Sequence, residues 1–321
     1  MKSSAVCVCA CTYKRPDGLR AMLDGIARQT FSTMPRPQLH IVIADNECSE
    51  TTREICATFQ NASGIAVSYV PEPRRGISFA RNACLDNIPE GFGFLASIDD
   101  DEVPEPDWLE RLIEAQVATG ADAVQGAVYP VFEDGAPEWL VKGEFIGRPR
   151  RAWLGTMPHL AEYQELRMAG TGNVLVRTAA IAESGLRFDP QLALTGGEDT
   201  MFFRSLQAAG YRIVWAPRAR VGEAIPRERA TFWYRLQVEY RIGNNPLPPP
   251  IDPKQRKPLK RLRKRWNDSG PAKVISGIGY LLRGGLTGDL NMDRVMVASL
   301  RIAFGLGQTS RALGFKYLPY R

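Results

Sequence analysis

Histidine is nearly missing from this chain: 321 residues contain only His40 and His159. The six cysteines, Cys7, Cys9, Cys11, Cys48, Cys56 and Cys84, all fall within the first 84 residues. They lack the paired spacing, with a second pair or histidines downstream, that thiolate metal sites use. Cys7, Cys9 and Cys11 alternate, so on a strand they share one face and pack as small hydrophobes. Such cysteines suggest a reducing compartment. No run reaches 18 uncharged apolar residues, which argues against a transmembrane helix. The start, Met1-Lys2-Ser3-Ser4 and then a short apolar strand pattern, is too brief for a signal-peptide core with a cleavage site. There is no internal repeat. With 44% hydrophobic and 24% charged residues, the composition excludes both a disordered chain and a disulfide-stapled miniature.

What is present is unevenly charged. Residues 242–321 hold 15 Lys/Arg against 4 Asp/Glu, whereas residues 1–241 hold 26 against 31. A basic tail on a mildly acidic body points to an anionic surface, lipid or nucleic acid.

Hydrophobic patterning predicts alternating strands and helices through residue 120. Strands are expected at 5–11, 39–44, 65–70 and 92–98. Helices are expected after Asp17, which can cap the first, and at 50–60, 77–88 and 107–118. This alternation predicts a parallel sheet with helices on both faces, whose ligands sit beyond the carboxyl ends of the strands. Polar residues gather there: Thr12 and Tyr13, Asp45, and Asp99-Asp100-Asp101. Further on, strands are expected at 122–132, 173–177 and 211–215, a loop or lid at 133–170, and helices after Glu198 and at 229–241. A stiff NNPLPPP linker follows at 244–250.

Two clusters carry the chemistry. Three adjacent carboxylates at a strand end repel one another and stay ionised most cheaply around a cation. Hard oxygen ligands suit Mg²⁺ or Mn²⁺, which usually keep waters and bridge to substrate phosphates. The plainer alternative is a solvated acidic loop. Glu198-Asp199 follows two glycines that let backbone approach a ligand. An acid at a helix start, taken alone, reads first as a cap; a nucleotide-sugar transfer would need one such carboxylate as general base.

In chain order, Thr12-Tyr13-Lys14-Arg15-Pro16, Ala44-Asp45-Asn46, Gly76 with Ala80-Arg81-Asn82, Asp99-Asp100-Asp101 and Gly196-Gly197-Glu198-Asp199 resemble the motifs of family-2 glycosyltransferases over about residues 5–243. The segments 80–87, 99–102 and 196–200 look especially like β-glucosyltransferases of succinoglycan-type exopolysaccharide synthesis. The resemblance implies the α/β GT-A fold, with a nucleotide-binding half at 1–120 and an acceptor-binding half at 121–243. A Pro-rich linker at 244–253 and a basic amphipathic tail at 254–321 would follow. It implies inverting transfer of a hexose from a nucleotide-sugar, UDP-sugar favoured, to a saccharide acceptor, with Mg²⁺ or Mn²⁺. Asp45, Thr12 and Tyr13 would line the nucleoside site, and Asp99 or Asp100 would hold the ribose. Asp101, with Asp99, would ligate the metal. Arg15 and Arg81 are donor-side candidates, and Asp199 would be the base with Glu198 beside it. Relatives often carry a histidine where this chain has Gly222. Glu223, or Arg229, Arg235 and Arg241, are the residues at hand to compensate. Trp139, Trp153, Trp215 and Trp233 are either core or stacking surfaces for acceptor sugars.

Residues 254–265 contain eight basic residues and no acid. Nucleic-acid readers usually interleave aromatics, and only Trp266 is near. The apolar segments beyond fit an interfacial membrane anchor, which would suit a lipid-linked acceptor at the cytoplasmic face of an inner membrane. Two other classes stay open. A nucleotidyltransferase also uses clustered aspartates, but usually with a Gly-rich loop after the first strand. A non-catalytic scaffold has only Gly222 in its favour.

Overall fold

Alternation along the first strand sets the layers. In β1 (Ala5–Thr12), Val6, Val8 and Ala10 face one way and Cys7 and Cys9 the other, and all five are buried. The first set packs against Leu19, Met22, Leu23 and Ile26 of α1 (Pro16–Ala27). The cysteine face packs against Ala80, Ala83 and Cys84 of α3 (Ile77–Asp86). Helices thus cover both faces, and each large side chain buried contributes about 1.5–3 kcal/mol. All six cysteines are free thiols.

This computed structural model describes residues 5–142, 160–245 and 269–318. The remaining elements of the first half are β2 (Gln38–Asp45), α2 (Glu50–Ser63), β3 (Ala66–Pro71), β4 (Phe94–Ser97), β5 (Glu102–Pro104) and α4 (Trp108–Thr119). Then come β6 (Ala123–Phe132), α5 (Glu138–Lys142), β7 (Glu165–Leu166), β8 (Val174–Arg177) and α6 (Thr178–Ser184). A 3-10 turn at Pro190–Leu192 precedes α7 (Glu198–Ala208), β9 (Ile213–Ile225) and α8 (Phe232–Asn244). Two C-terminal helices are α9 (Gly270–Thr287) and α10 (Met292–Ala312).

The strands form one sheet in the order β3-β2-β1-β4-β8-β6-β9-β5, with β7 on β9. The expected parallel pairing holds for β3, β2, β1 and β4. Beyond them the sheet turns antiparallel: β8 runs against β4 and β6, and β5 against β9. Strand β9 is far longer than the 211–215 expected, because it continues to Ile225 to pair with β5. Asp17 does not cap α1. Pro16 presets the first helical φ, so the helix begins there, and Asp17 lies in the first turn, bonded to Arg20 at 3.0 Å.

Two compact units emerge. The first is Met1–Val131, His159–Leu194 and Glu198–Ala224; the second is Phe132–Pro158, Thr195–Gly197 and Ile225–Arg321. The sheet and both acidic clusters lie in the first. Helices α8, α9 and α10 lie in the second, where α10 packs against both of the others. Trp153, His159, Trp266, the basic run 254–265 and most of the 244–253 linker fall outside the described residues.

Candidate active site

The site grows from the ends of β1 and β4. Thr12 closes β1, and its hydroxyl donates to Asp100 Oδ2 at 2.8 Å. The chain then turns through Lys14, whose φ of 58° is in the left-handed region, a costly conformation kept where the surroundings fix it. The turn delivers Arg15 to the aspartates, and its Nη1 lies 2.8 Å from both Asp100 and Asp101. Close packing holds the arrangement, since a Cβ on Gly18 would lie 2.4 Å from the Asp100 carbonyl oxygen. Tyr13 is 39% exposed, with Arg75 and Lys14 over its ring at 5.6 and 5.2 Å.

A second arginine joins the two acidic motifs. Arg81, projecting from α3, pairs with Glu198 at the start of α7 and approaches Asp99 at 3.5 Å. Its guanidinium also lies over the Phe188 ring. The sequence thus brings together residues 81, 99 and 198 from three separate elements. Asp199 follows Glu198, accepting from the Thr200 N–H at 2.6 Å, and its Oδ2 lies 3.5 Å from where a Cβ of Gly170 would be.

The floor is more acidic than the motifs alone indicated. Glu102 is buried, accepts from the Asp99 N–H at 3.0 Å and stands opposite Glu223 in the β5–β9 register. Burial, with Asp99, Glu223 and Asp101 nearby, pushes the Glu102 carboxyl well above the carboxylate range. Burial likewise pushes Glu198 up to about 7, against the pull of Arg81 and with Asp199 adding to the rise. Asp99 is pushed up to about 6 by desolvation and its neighbouring aspartates, again against Arg81. Gly172 makes room for this cluster: a Cβ there would lie 2.5 Å from Glu102 Oε1 and 3.3 Å from Asp99 Oδ2.

Sequence reading passed over Glu102, the 170–172 loop and Asn173. Buried Asn173, at φ 59°, accepts from Trp108 Nε1 at 2.7 Å and donates to the Ala127 and Ala219 carbonyls. The Gly-Thr-Gly-Asn string ahead of β8 was the one available signal.

The remaining expected residues flank these clusters or lie beyond them, with Asp45 beside Thr12 in the β1–β2 register. Asp45 is fully buried, and its oxygens accept from the N–H groups of Glu47 and Ser49 and from the Tyr69 hydroxyl. It fixes the loop after β2. Arg235 is buried on α8 and pairs with Glu239 at 3.5 Å, while Arg229 precedes that helix. Trp139 contacts Phe232 edge-on, Trp215 is half-buried on β9, and Trp233 is 72% exposed. At Gly222 a Cβ would meet Val131 Cγ2 at 2.8 Å and Tyr129 at 3.3 Å, so a larger residue requires the half-exposed Val131 side chain to shift. The neighbouring Tyr129 is held by a hydrogen bond to Glu105.

The donor set suits a hard divalent cation in part. Asp99 and Asp101 supply carboxylate oxygens, and acids outnumber the two arginines around them. Among the described residues, no group of three or more His, Cys, Asp or Glu is arranged to hold a metal.

Residues 7–184 match the family model described as Glycosyl transferase family 2. The chain is 36% identical over 233 residues to the succinoglycan biosynthesis protein ExoM of Rhizobium meliloti (strain 1021), covering 73% of this chain and 71% of that protein. It is similar in structure to the mannosyltransferase PcManGT from Pyrobaculum calidifontis, solved with GDP-Man and Mn²⁺. There the TM-score is 0.63 at 16% identity, over 97% of this chain and 88% of the other. S. aureus TarS 1-349 with UDP-GlcNAc gives a TM-score of 0.53 at 14% identity, over 98% and 93%. Against a longer TarS chain this one spans 55% of the length. At these identities the structural likeness establishes the GT-A fold and leaves the substrate open.

Proposed function

Because this chain belongs to glycosyl transferase family 2, we propose that it is an inverting hexosyltransferase acting in bacterial exopolysaccharide or other surface-polysaccharide synthesis. The donor is a nucleotide-sugar, UDP-sugar favoured, and the acceptor a saccharide, carried on a lipid. The observation that carries this reading is the Arg81 bridge, which gathers the triple aspartate and the Glu198-Asp199 pair into one site.

In this reading Asp199 takes the proton from the acceptor hydroxyl. The freed oxygen attacks the anomeric carbon from the face opposite the diphosphate. The bond from that carbon to the diphosphate oxygen breaks, its electrons leave with the nucleoside diphosphate, and the configuration inverts. One base suffices because the leaving group departs as an anion. Exposed Tyr13 offers its ring to the nucleoside; Thr12 and Arg15 hold Asp100 in place for the ribose. Asp45 shapes the base-binding loop, and Arg81 keeps Glu198 and Asp99 in register. Asp101, with Asp99, would hold Mg²⁺ or Mn²⁺, whose charge offsets that of the leaving diphosphate. The basic run 254–265 would keep the enzyme at the cytoplasmic face of the inner membrane, beside its acceptor.

The test is nucleoside-diphosphate release from UDP-, GDP- and dTDP-sugars, with and without Mn²⁺ or Mg²⁺. A lipid-linked oligosaccharide extract serves as acceptor and Asp199→Asn as control. Acceptor-stimulated release from one donor, lost in the variant, is expected. Pyrophosphate as product would instead indicate nucleotidyl transfer. Absence of donor binding across the panel would overturn the reading.

A further inference from the structure

Helix α9 is packed inside out. It meets α10 through Gly270, Gly277 and Gly284, seven residues apart on one face, and all three are buried. A Cβ on Gly277 would lie 2.6 Å from the Ile302 side chain and 2.9 Å from the Ala298 carbonyl oxygen. On Gly270 it would lie 2.5 Å from the Gly305 carbonyl oxygen. Close glycine-mediated approach of this kind is common where no hydrophobic effect drives helices together. Val274 and Tyr280 also face α10, where a Cβ on Gly305 would lie 2.9 Å from Val274 Cγ2 and the Tyr280 ring lies under Arg294 and Arg301, but four large apolar residues point the other way. Ile275, Ile278, Leu282 and Leu286 are 61%, 46%, 63% and 89% exposed. Their spacing of three, four and four residues makes one continuous stripe. An amphipathic helix of a water-soluble protein does the reverse, turning its apolar stripe to the core.

Charge indicates what covers the stripe. Residues 269–288 contain no acid, and their two charges are Lys273 and Arg283. The segment 254–265, leading toward α9, adds eight basic residues and no acid. A second copy of the chain would bring a stretch of net +11, residues 242–321, against its equal, which is repulsive. An anionic bilayer is complementary to both the charge and the apolar stripe. At 18 residues α9 is about 27 Å long. None of the described helices is long and apolar enough to cross a membrane. Lying in the interface, with the stripe down, is the arrangement left to it.

We propose that the Ile275–Ile278–Leu282–Leu286 face of α9 inserts into the interfacial layer of an anionic bilayer. This rests on the membrane association proposed above and names the surface that makes it. The face holds the chain by hydrophobic burial, whereas the basic run supplies attraction that salt screens.

Full-length protein is sedimented with vesicles of pure phosphatidylcholine and of phosphatidylcholine with 30% phosphatidylglycerol, at low and high salt. Wild type is compared with Leu282→Ser/Leu286→Ser and with a variant carrying four Lys/Arg→Gln changes in 254–265. Circular dichroism checks that each variant is folded. Wild type is expected to bind the anionic vesicles, and the double serine variant to bind at least tenfold more weakly at both salt concentrations. The glutamine variant should lose affinity mainly at low salt. Equal binding by wild type and the serine variant would overturn the α9 face while leaving membrane association intact. No binding by wild type would overturn both. A dimer in solution that the serine substitutions dissociate would assign the face to a second copy.

Discussion

At the carboxyl ends of the sheet strands the chain buries charge; along α9 it exposes leucine and isoleucine. Glu102 and Glu198 are each about 4% exposed, while Leu286 is 89% exposed. Both regions run against the ordinary sorting of residues between interior and surface, in opposite directions. In the first unit the cost of buried carboxylates is offset by Arg15, Arg81 and, in the proposed reaction, a divalent cation. In the second the cost of exposed apolar surface falls only when something covers it. On the readings proposed above, each violation would be relieved by a partner: a divalent cation with its nucleotide-sugar at the first, an anionic bilayer at the second.

The comparison breaks most sharply at Asp199. Replacing it with Asn should lower transfer about 10³-fold, within the usual range for a general base, while donor affinity by calorimetry stays within about twofold. The serine changes on α9 should leave transfer to a water-soluble acceptor unchanged. Equal transfer by wild type and Asp199→Asn would remove Asp199 as base.

Arg81 tests how the buried charge is held. Arg81→Met leaves Glu198 buried without its partner, and breaking such a pair costs about 3 kcal/mol or more. Denaturant unfolding at pH 8 should show that loss. It should shrink as pH falls through about 7, where Glu198 takes up its proton. The wild type has its own slope with a definite sign. The folded-state pKa of Glu198 lies above its ordinary 4.5, so its stabilising contribution is complete below that value. It is lost as pH rises through about 7. Glu198→Gln cannot ionise and should reduce that slope, leaving the part that raised Asp99 and Glu102 contribute. A loss in Arg81→Met that does not vary between pH 5 and 8 would mean the arginine acts through packing alone.

These two regions were unequally legible in the sequence. The triple aspartate and Glu198-Asp199 stand out because each is contiguous, the first following a strand and the second opening a helix. Arg81 was visible as part of a motif, but its bridge between them depends on α3, β4 and α7 meeting in space. Glu102 faces Glu223 only through the register of β5 on β9, and three-residue β5 has no periodicity to read. Asp45 was legible as a strand-end acid, yet its bonds to the loop were not. In α9 the apolar segment was plain, but its orientation was not, because glycines at seven-residue spacing read as helix breakers until α10 is seen against them.

A smaller effect is expected at Gly222. Gly222→His adds a Cβ that would lie 2.8 Å from Val131 Cγ2 and 3.3 Å from Tyr129, so both must give way to admit it. Overpacking of this kind costs about 1–3 kcal/mol, readable as a lower denaturation midpoint. Adding Tyr129→Ala should recover part of the loss. Full stability in the single variant would mean that β6 yields readily at Tyr129.

The smallest effect belongs to the most exposed side chain. Leu286 contributes little to the folded state in water, so Leu286→Ser should change unfolding stability by no more than about 0.5 kcal/mol. The same change should weaken binding to phosphatidylglycerol vesicles severalfold, because the lost apolar surface matters only once it leaves water. A core position in the sheet behaves oppositely: Ile41→Ser, at a fully buried site, should cost several kcal/mol of stability. If Leu286→Ser destabilised the protein as Ile41→Ser does, the stripe on α9 would belong to the protein's own core. The contrast between a surface built for charge and one built for lipid would then collapse.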